Sequence, residues 1–245
     1  MKSKVMNVAS CLALVASTAL RASNAGAAPP TPQPGDYFGI ISKTQALLTG
    51  GLVADLGDPD VQAKIDGLNA SASALSASMR PLSAQQGTPS QAGPLPTATG
   101  ALWDDLPYTS AADNNFMAQS YARLINMALA VKTPCAGRPI CHNSDAAMIA
   151  QITDAIDSMS VNWYNANFSH PWGSWFTQEI SLPSLLGQLL VLMYDDISWA
   201  NKQKYIAAVK YDLLHSIASP STDHFNGYRD AEGANRALEA MNFLL

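Results

Sequence analysis

The chain has 245 residues, of which 48% are hydrophobic and 13% are charged, so it is long and apolar enough to bury a sizeable core. This composition excludes a disordered acidic chain, a collagen-like repeat and a charge-rich coiled coil. The formal net charge of −5 disfavours nonspecific binding to nucleic acid, and we expect no nucleic-acid partner.

Residues 1–27 carry the pattern of a secretory signal peptide. Lys2 and Lys4 form a basic start, residues 8–20 are apolar, and residues 25–27 offer a small-x-small cleavage site. The apolar run is shorter than the ~20 residues that cross a bilayer, and no later stretch is long and apolar enough. We therefore expect a secreted, extracellular or periplasmic protein without a membrane partner, whose mature domain covers residues 28–245. The alternative is that residues 8–20 form a first core helix.

The mature chain is dominated by helical periodicity. Asp58 and Pro59 predict a helix start, because Asp can cap a helix and Pro suits its first turn. An apolar stripe at helical spacing then continues until Pro81. Residues 83–100 are rich in Pro, Gly, Ser, Thr and Gln, which predicts a long surface connection. Further helices are predicted over 113–131, 145–161, 182–193 and 201–217, and a last pattern begins near residue 234.

No alternating strand of convincing length is present. The sequence therefore predicts an all-α domain of about seven helices, arranged as layered helical hairpins.

Two cysteines remain in the mature chain, Cys135 and Cys141. An isolated pair this close in an exported protein predicts a disulfide that closes a small loop. His142 is adjacent, but nothing else completes a set of metal ligands. We expect no metal site and no cofactor.

Aromatic residues are concentrated between residues 163 and 176. His170, Pro171 and Gly173 favour a loop there, which would place Trp172 and Trp175 outside a helix core. Exposed rings are good platforms for sugars, whose C–H faces are apolar and whose hydroxyl edges are polar. The alternative is a core cluster that closes the end of the helix layer, and the residues alone do not separate the two.

A second candidate segment, residues 232–236, enters the last predicted helix. Asn235 can present an amide, and Arg236 offers a planar fork suited to carboxylates. An ordinary helix N-cap explains the same residues.

Read together, these segments resemble polysaccharide lyase family 8, which includes hyaluronate, chondroitin AC and xanthan lyases. The family signature Asn-Trp-Trp-x-x-Glu-Ile-Gly-x-Pro is similar to Ser174-Trp-Phe-Thr-Gln-Glu-Ile-Ser-Leu-Pro183. The segments 46–50, 102–106, 189–196 and 233–236 also resemble the family pattern, in the same order.

The resemblance implies an incomplete toroid of antiparallel helical hairpins, followed in the family by a β-sandwich region. It implies β-elimination at a uronic acid, or a related residue, of an acidic polysaccharide. A base removes the proton at carbon 5 and the oxygen at carbon 4 leaves, while a neutralised carboxylate stabilises the developing charge. Asn235 carries over as the residue that neutralises the carboxylate. Trp175 and Phe176 carry over as the aromatic patch that orients the polysaccharide. From their own chemistry, Trp172 and Arg236 are expected as further substrate contacts.

This sequence departs from the family pattern at several positions. Ser174, Phe176 and Ser181 replace Asn, the second Trp and Gly. The family's catalytic His and Tyr follow the Asn motif, and neither has a counterpart here, since His224 and Tyr228 precede Asn235. We therefore expect a monomeric, truncated fragment with little or no lyase activity of its own. The alternatives are a non-catalytic carbohydrate-binding toroid, and a glycoside hydrolase on a helical toroid, which would need two carboxylates flanking one bond.

Overall fold

In a computed structural model, every regular element of the described residues is helical, which confirms the all-α prediction. The structure describes residues 34–51, 55–81, 101–108, 114–165, 174 and 176–218. The helices are α1 Pro34–Thr49, α2 Pro59–Ser78, α3 Asn114–Lys132, α4 Ala146–Asn162, a π-helix Thr177–Ser181, α5 Leu182–Leu192 and α6 Trp199–Ala218.

The chain divides into two compact units, Met1–Asp36 and Tyr37–Leu245. Only residues 34–36 of the first unit are described. The signal peptide, the connection at 83–100 and the pattern near residue 234 lie outside the described residues, so they stay predictions.

Helices α2 and α4 begin at the residues that the sequence predicts. Asp58 caps α2 by accepting hydrogen bonds from the backbone N–H groups of Asp60 and Val61, with Pro59 in the first turn. Asp145 caps α4 in the same way, accepting from Ala147 and Met148. Each cap satisfies backbone donors that the first turn leaves without a helical partner.

Helix α3 lies at the centre of the core. It packs against α2, α4, α5 and the π-helix, and residues on most of its faces are buried. Its fully buried side chains include Met117, Tyr121, Leu124 and Met127. Helix α5 is apolar nearly all round, as a buried helix should be, and packs on α3.

Large aromatic side chains close the core beside α3. The rings of Tyr108 and Trp163 pack edge to face with centroids 4.9 Å apart, and those of Tyr121 and Tyr164 do so at 6.5 Å. The Tyr108 hydroxyl donates a 2.6 Å hydrogen bond to Ser120. Burial raises the pKa of both Tyr108 and Tyr121 well above the usual range, so both hydroxyls stay protonated.

Two elements were not predicted from the sequence. Helix α1 has a weak apolar stripe: Ile41 is buried, whereas Phe38 and Leu47 are 57% and 58% exposed. The π-helix Thr177–Ser181 runs directly into α5, so its sequence pattern is continuous with that of an α-helix.

Candidate functional site

The aromatic cluster between residues 163 and 176 divides into a buried part and an exposed part. Trp163 and Tyr164 are each only 1% exposed, so they belong to the core. Phe176, directly before the π-helix, is 45% exposed. The core alternative therefore holds for Trp163 and Tyr164, and the Phe176 ring is accessible. Trp172 and Trp175, on which the binding-surface alternative depends, lie outside the described residues, so that alternative stays a prediction.

Most predicted site residues lie outside the described part of the chain. The structure describes nothing of Trp172, Trp175, Asn235 or Arg236. Their roles stay predictions, and Phe176 is the predicted substrate contact that the structure describes.

Two consecutive asparagines at the start of α3 bind residues on either side of Phe176. Asn114 donates a 2.7 Å hydrogen bond from Nδ2 to the carbonyl of Ser174. Asn115 accepts a 2.8 Å hydrogen bond on Oδ1 from the hydroxyl of Thr177. We call these two contacts the asparagine clamp. Because α3 is the central core helix, the clamp ties Ser174 and Thr177, on either side of Phe176, to the core of the domain.

The π-helix adds a second constraint on this segment. Thr177, Gln178 and Ile180 are all buried, while Phe176 is directed toward solvent. The backbone N–H of Gln178 donates to the carbonyl of Ser174 at 3.0 Å. A π-helical turn inserts an extra residue into the helical register, so it shifts the residues before it relative to the buried face of α5.

Sequence reasoning missed the asparagine clamp. The signal was present as two adjacent asparagines at a helix start, followed by Phe116. Asparagine is common at helix starts for capping alone, so its tertiary role could be found only from the structure.

The disulfide loop, residues 133–145, is a second candidate region. Cys135 and Cys141 form a disulfide with Cα atoms 5.4 Å apart. Gly137 adopts a φ of 81° within the loop, a left-handed conformation that side chains with a Cβ rarely adopt. The backbone N–H of His142 donates to Oδ1 of the fully buried Asn69 at 2.9 Å. The loop is therefore bound to the middle of α2.

Ser73 of α2 and two side chains of the loop are arranged like the Ser-His-Asp triad of a hydrolase. Ser73 Oγ lies 2.6 Å from His142 Nε2, and His142 Nδ1 lies 2.9 Å from Asp145 Oδ2. However, Ser73 already donates its hydroxyl hydrogen to the carbonyl of Asn69 at 3.0 Å. It also lies mid-helix in α2, where neighbouring backbone N–H groups are used within the helix and cannot form an oxyanion hole. The arrangement positions the loop and has no nucleophile.

An ion pair completes the attachment of the loop to α2. Arg138 donates two hydrogen bonds to the Asp66 carboxylate in a bidentate ion pair, and it donates a third to Gln62 Oε1 at 3.0 Å. The hydrogen bond from Arg138 lowers the pKa of Asp66, so this carboxylate stays ionised into acid.

The described residues hold neither a cluster of metal ligands nor a membrane-spanning helix. They contain no group of three or more His, Cys, Asp or Glu side chains placed to hold a metal ion. None of the described helices is long and apolar enough to cross a membrane.

Comparison with known families decides what this helical domain is. Residues 45–244 match the model of the polysaccharide lyase family 8 N-terminal alpha-helical domain. The chain belongs to polysaccharide lyase family 8. This confirms the family resemblance, and the incomplete helical toroid is the fold of its structural neighbours.

Named relatives of this family 8 chain include a xanthan lyase from Bacillus sp. (strain GL1). The two are 29% identical over 206 residues, which are 84% of this chain and 19% of that protein. The chain therefore spans about a fifth of this relative's length.

Solved structures support the same family 8 fold. A Paenibacillus xanthan lyase superposes with a TM-score of 0.66 at 24% identity, over 86% of this chain and 17% of that one. A Streptomyces coelicolor A3 chondroitin AC lyase, solved in complex with chondroitin sulphate, gives 0.64 at 18% identity, over 85% of this chain and 24% of that one.

Proposed function

We propose that this chain carries the helical, substrate-orienting part of a secreted lyase that cleaves an acidic polysaccharide by β-elimination. The observation that carries the proposal is the family 8 match over residues 45–244. Relatives named for xanthan and chondroitin support an acidic substrate, and the pattern of residues 1–27 supports export.

The platform segment, residues 172–176, is proposed to orient the polysaccharide. Phe176 offers a ring that is 45% exposed, and the asparagine clamp binds the Ser174 carbonyl on one side of it and the Thr177 hydroxyl on the other. Trp172 and Trp175 are proposed to extend this surface. A ring fixed in advance loses little conformational entropy when a sugar stacks on it, which favours binding.

Asn235 and Arg236 are proposed to act on the substrate carboxylate. Removal of the proton at carbon 5 builds negative charge on the adjoining carboxylate group. A hydrogen bond donated by the Asn235 amide stabilises that charge as it develops, and the Arg236 guanidinium can pair with a carboxylate in a fork geometry. The electron pair then expels the oxygen at carbon 4 and leaves an unsaturated sugar.

A base and an acid are also needed for turnover. No histidine or tyrosine in these 245 residues matches the family's catalytic pair. We therefore propose that these residues alone bind polysaccharide but do not cleave it.

The test is a chimera with the Bacillus xanthan lyase. The 206-residue aligned segment of this chain replaces its counterpart in that enzyme, and the formation of unsaturated product is followed by absorbance. We expect the chimera to eliminate and the 245-residue chain to bind oligosaccharide without turnover. Release of reducing ends without an unsaturated product would instead identify a hydrolase.

In an active chimera, Asn235→Ala tests the assigned role. A donor that acts mainly on the transition state affects kcat more than KM, and its loss costs roughly 10²–10³ in rate. Near-normal kcat in this variant would show that the assignment of Asn235 is wrong.

A further inference from the structure

A row of exposed aromatic rings lies at the other end of α5 from Phe176. Phe38 of α1 packs edge to face on Tyr194, with ring centroids 6.2 Å apart. Lys202 of α6 places its Nζ 3.4 Å from the centroid of the Tyr194 ring. Trp199, 66% exposed, precedes Lys202 by three residues on α6, and residues at that spacing are neighbours on a helix surface. We call the three aromatic residues, together with Lys202, the aromatic row.

A cleft with several polar side chains in its lining borders the aromatic row. It has a volume of about 280 Å³, and its lining includes Ser42 and Thr49 of α1, Lys132 of α3, and Asp195. Phe38, Ser42 and Thr49 are spaced by four and seven residues, which places them on one face of α1. Asp195 directly follows Tyr194 in the chain. The row and the cleft are therefore neighbours, along one face of α1 and where Asp195 follows Tyr194.

Lys202 supplies this surface with an available positive charge. Among the described residues, no carboxylate lies within ion-pair distance of its ammonium group. Asp196, the nearer candidate in sequence, is paired with Lys132 instead. Partial burial lowers the pKa of Lys202, and the charges of Asp195 and Asp196 act in the opposite direction. An incoming carboxylate would find an ammonium group that is already partly desolvated and positioned by the Tyr194 ring.

Distance separates the aromatic row from the platform segment. Phe176 precedes the π-helix, and Tyr194 follows the end of α5. The intervening helical residues advance by about 1.5 Å each, so the two aromatic surfaces are separated by roughly 20–25 Å. One sugar ring cannot contact both.

We propose that the aromatic row and its cleft form a second carbohydrate-binding site, which takes a carboxylate-bearing sugar of an acidic polysaccharide. The exposed faces of Trp199 and Phe38 stack on the apolar faces of sugar rings, and Lys202 pairs with the carboxylate. Polar groups of the cleft bind the hydroxyl edges. This inference rests on the proposed function, because it assumes the same class of polysaccharide.

The test measures binding of chondroitin sulphate oligosaccharides to the 245-residue chain by isothermal titration calorimetry. Trp199→Ala should weaken the second binding event by about tenfold, the lower range for an aromatic residue central to an interface. Lys202→Gln should weaken binding of the acidic oligosaccharide and leave a neutral cello-oligosaccharide unaffected. The matched controls are Ile140→Ala, an exposed apolar residue on the disulfide loop, and Lys204→Gln, whose lysine is paired with Asp157.

The outcomes separate this inference from the proposed function. Two binding events, one lost in Phe176→Ala and the other in Trp199→Ala, would support both. A single event that Phe176→Ala abolishes and Trp199→Ala leaves unchanged would overturn the second site alone. No binding of either oligosaccharide by the unmodified chain would contradict the proposed function as well. A concentration-dependent dimer in sedimentation velocity that Trp199→Ala removes would overturn the proposal by assigning the row to self-association.

Discussion

Two aromatic residues from the same sequence cluster should respond in opposite ways to truncation. Trp163 is 1% exposed and packs against Tyr108, whereas Phe176 is 45% exposed. We expect Trp163→Ala to destabilise the domain strongly without any specific effect on sugar contacts. Phe176→Ala should weaken oligosaccharide binding and leave the domain nearly as stable as before.

The expected magnitudes follow from burial. Replacing a buried Trp with Ala costs about 3–5 kcal/mol. Fully burying a Phe side chain is worth about 1.5–3 kcal/mol, and Phe176 keeps nearly half of its surface in water. Its truncation should therefore cost about 0.8–1.7 kcal/mol, the share of that value that its buried surface represents. For a domain of this size, about 1 kcal/mol corresponds to roughly 2–4 °C in Tm, so Trp163→Ala should lower Tm by at least roughly 6 °C.

The assay combines thermal unfolding followed by circular dichroism with oligosaccharide titration. A drop in Tm for Phe176→Ala as large as that for Trp163→Ala would refute the reasoning, because it would show that Phe176 supports the core. Unchanged affinity in a stable Phe176→Ala variant would refute its role in the platform segment. Val161→Ala, at a position that is 45% exposed on α4, is the control for a surface truncation.

Three further predictions concern the contacts that hold the site. Cys135 and Cys141 should be oxidised in the exported protein, so reduction should raise the intact mass by two hydrogens, and two freely alkylated thiols without reductant would contradict this. The hydrogen bond with His142 lowers the pKa of Asp145. The ionised Asp145 carboxylate therefore stabilises the folded state above the ordinary carboxyl pKa, and this stabilisation is lost as the pH falls through the lowered pKa. Asp145→Asn keeps a good N-cap but removes the carboxylate. Its free energy of unfolding should be lower than that of the parent near neutrality, and the difference should vanish in acid. A difference in the free energy of urea unfolding that stays constant with pH would contradict this. Asn115→Ala leaves the buried Thr177 hydroxyl without its acceptor and should cost about 1–3 kcal/mol, much of which a second change, Thr177→Val, should restore in a double-mutant cycle.

Local chemistry explains which parts of the fold could be predicted from the sequence. The starts of α2 and α4 depend on Asp58 and Asp145, whose side chains cap the N–H groups two and three residues later. The apolar stripe of α2 repeats at helical spacing, and Ile65 and Ala72 from it are buried. Such signals lie within one or two helical turns, so they are visible without the rest of the fold.

The face of α2 next to the apolar stripe shows where such reasoning stops. Asp66, Asn69 and Ser73 have the composition of a solvated helix face, yet they bind Arg138 and His142 of the disulfide loop. Asn69 is fully buried. Contacts between residues about 70 positions apart leave no periodic pattern, so neither the burial of Asn69 nor the partners of His142 could be predicted.

The aromatic cluster shows why composition alone could not decide between a core and a binding surface. Trp163 ends α4, where its backbone N–H donates to the carbonyl of Met159 and its ring enters the core. Phe176 stands before the π-helix, whose buried side chains Thr177 and Gln178 leave the preceding ring at the surface. The cluster is thus the sum of two helix ends that happen to be close in sequence. Of these two rings, the one at the second end is exposed, and the residues beside it are held by the asparagine clamp, which is made from a helix that begins about 60 residues earlier.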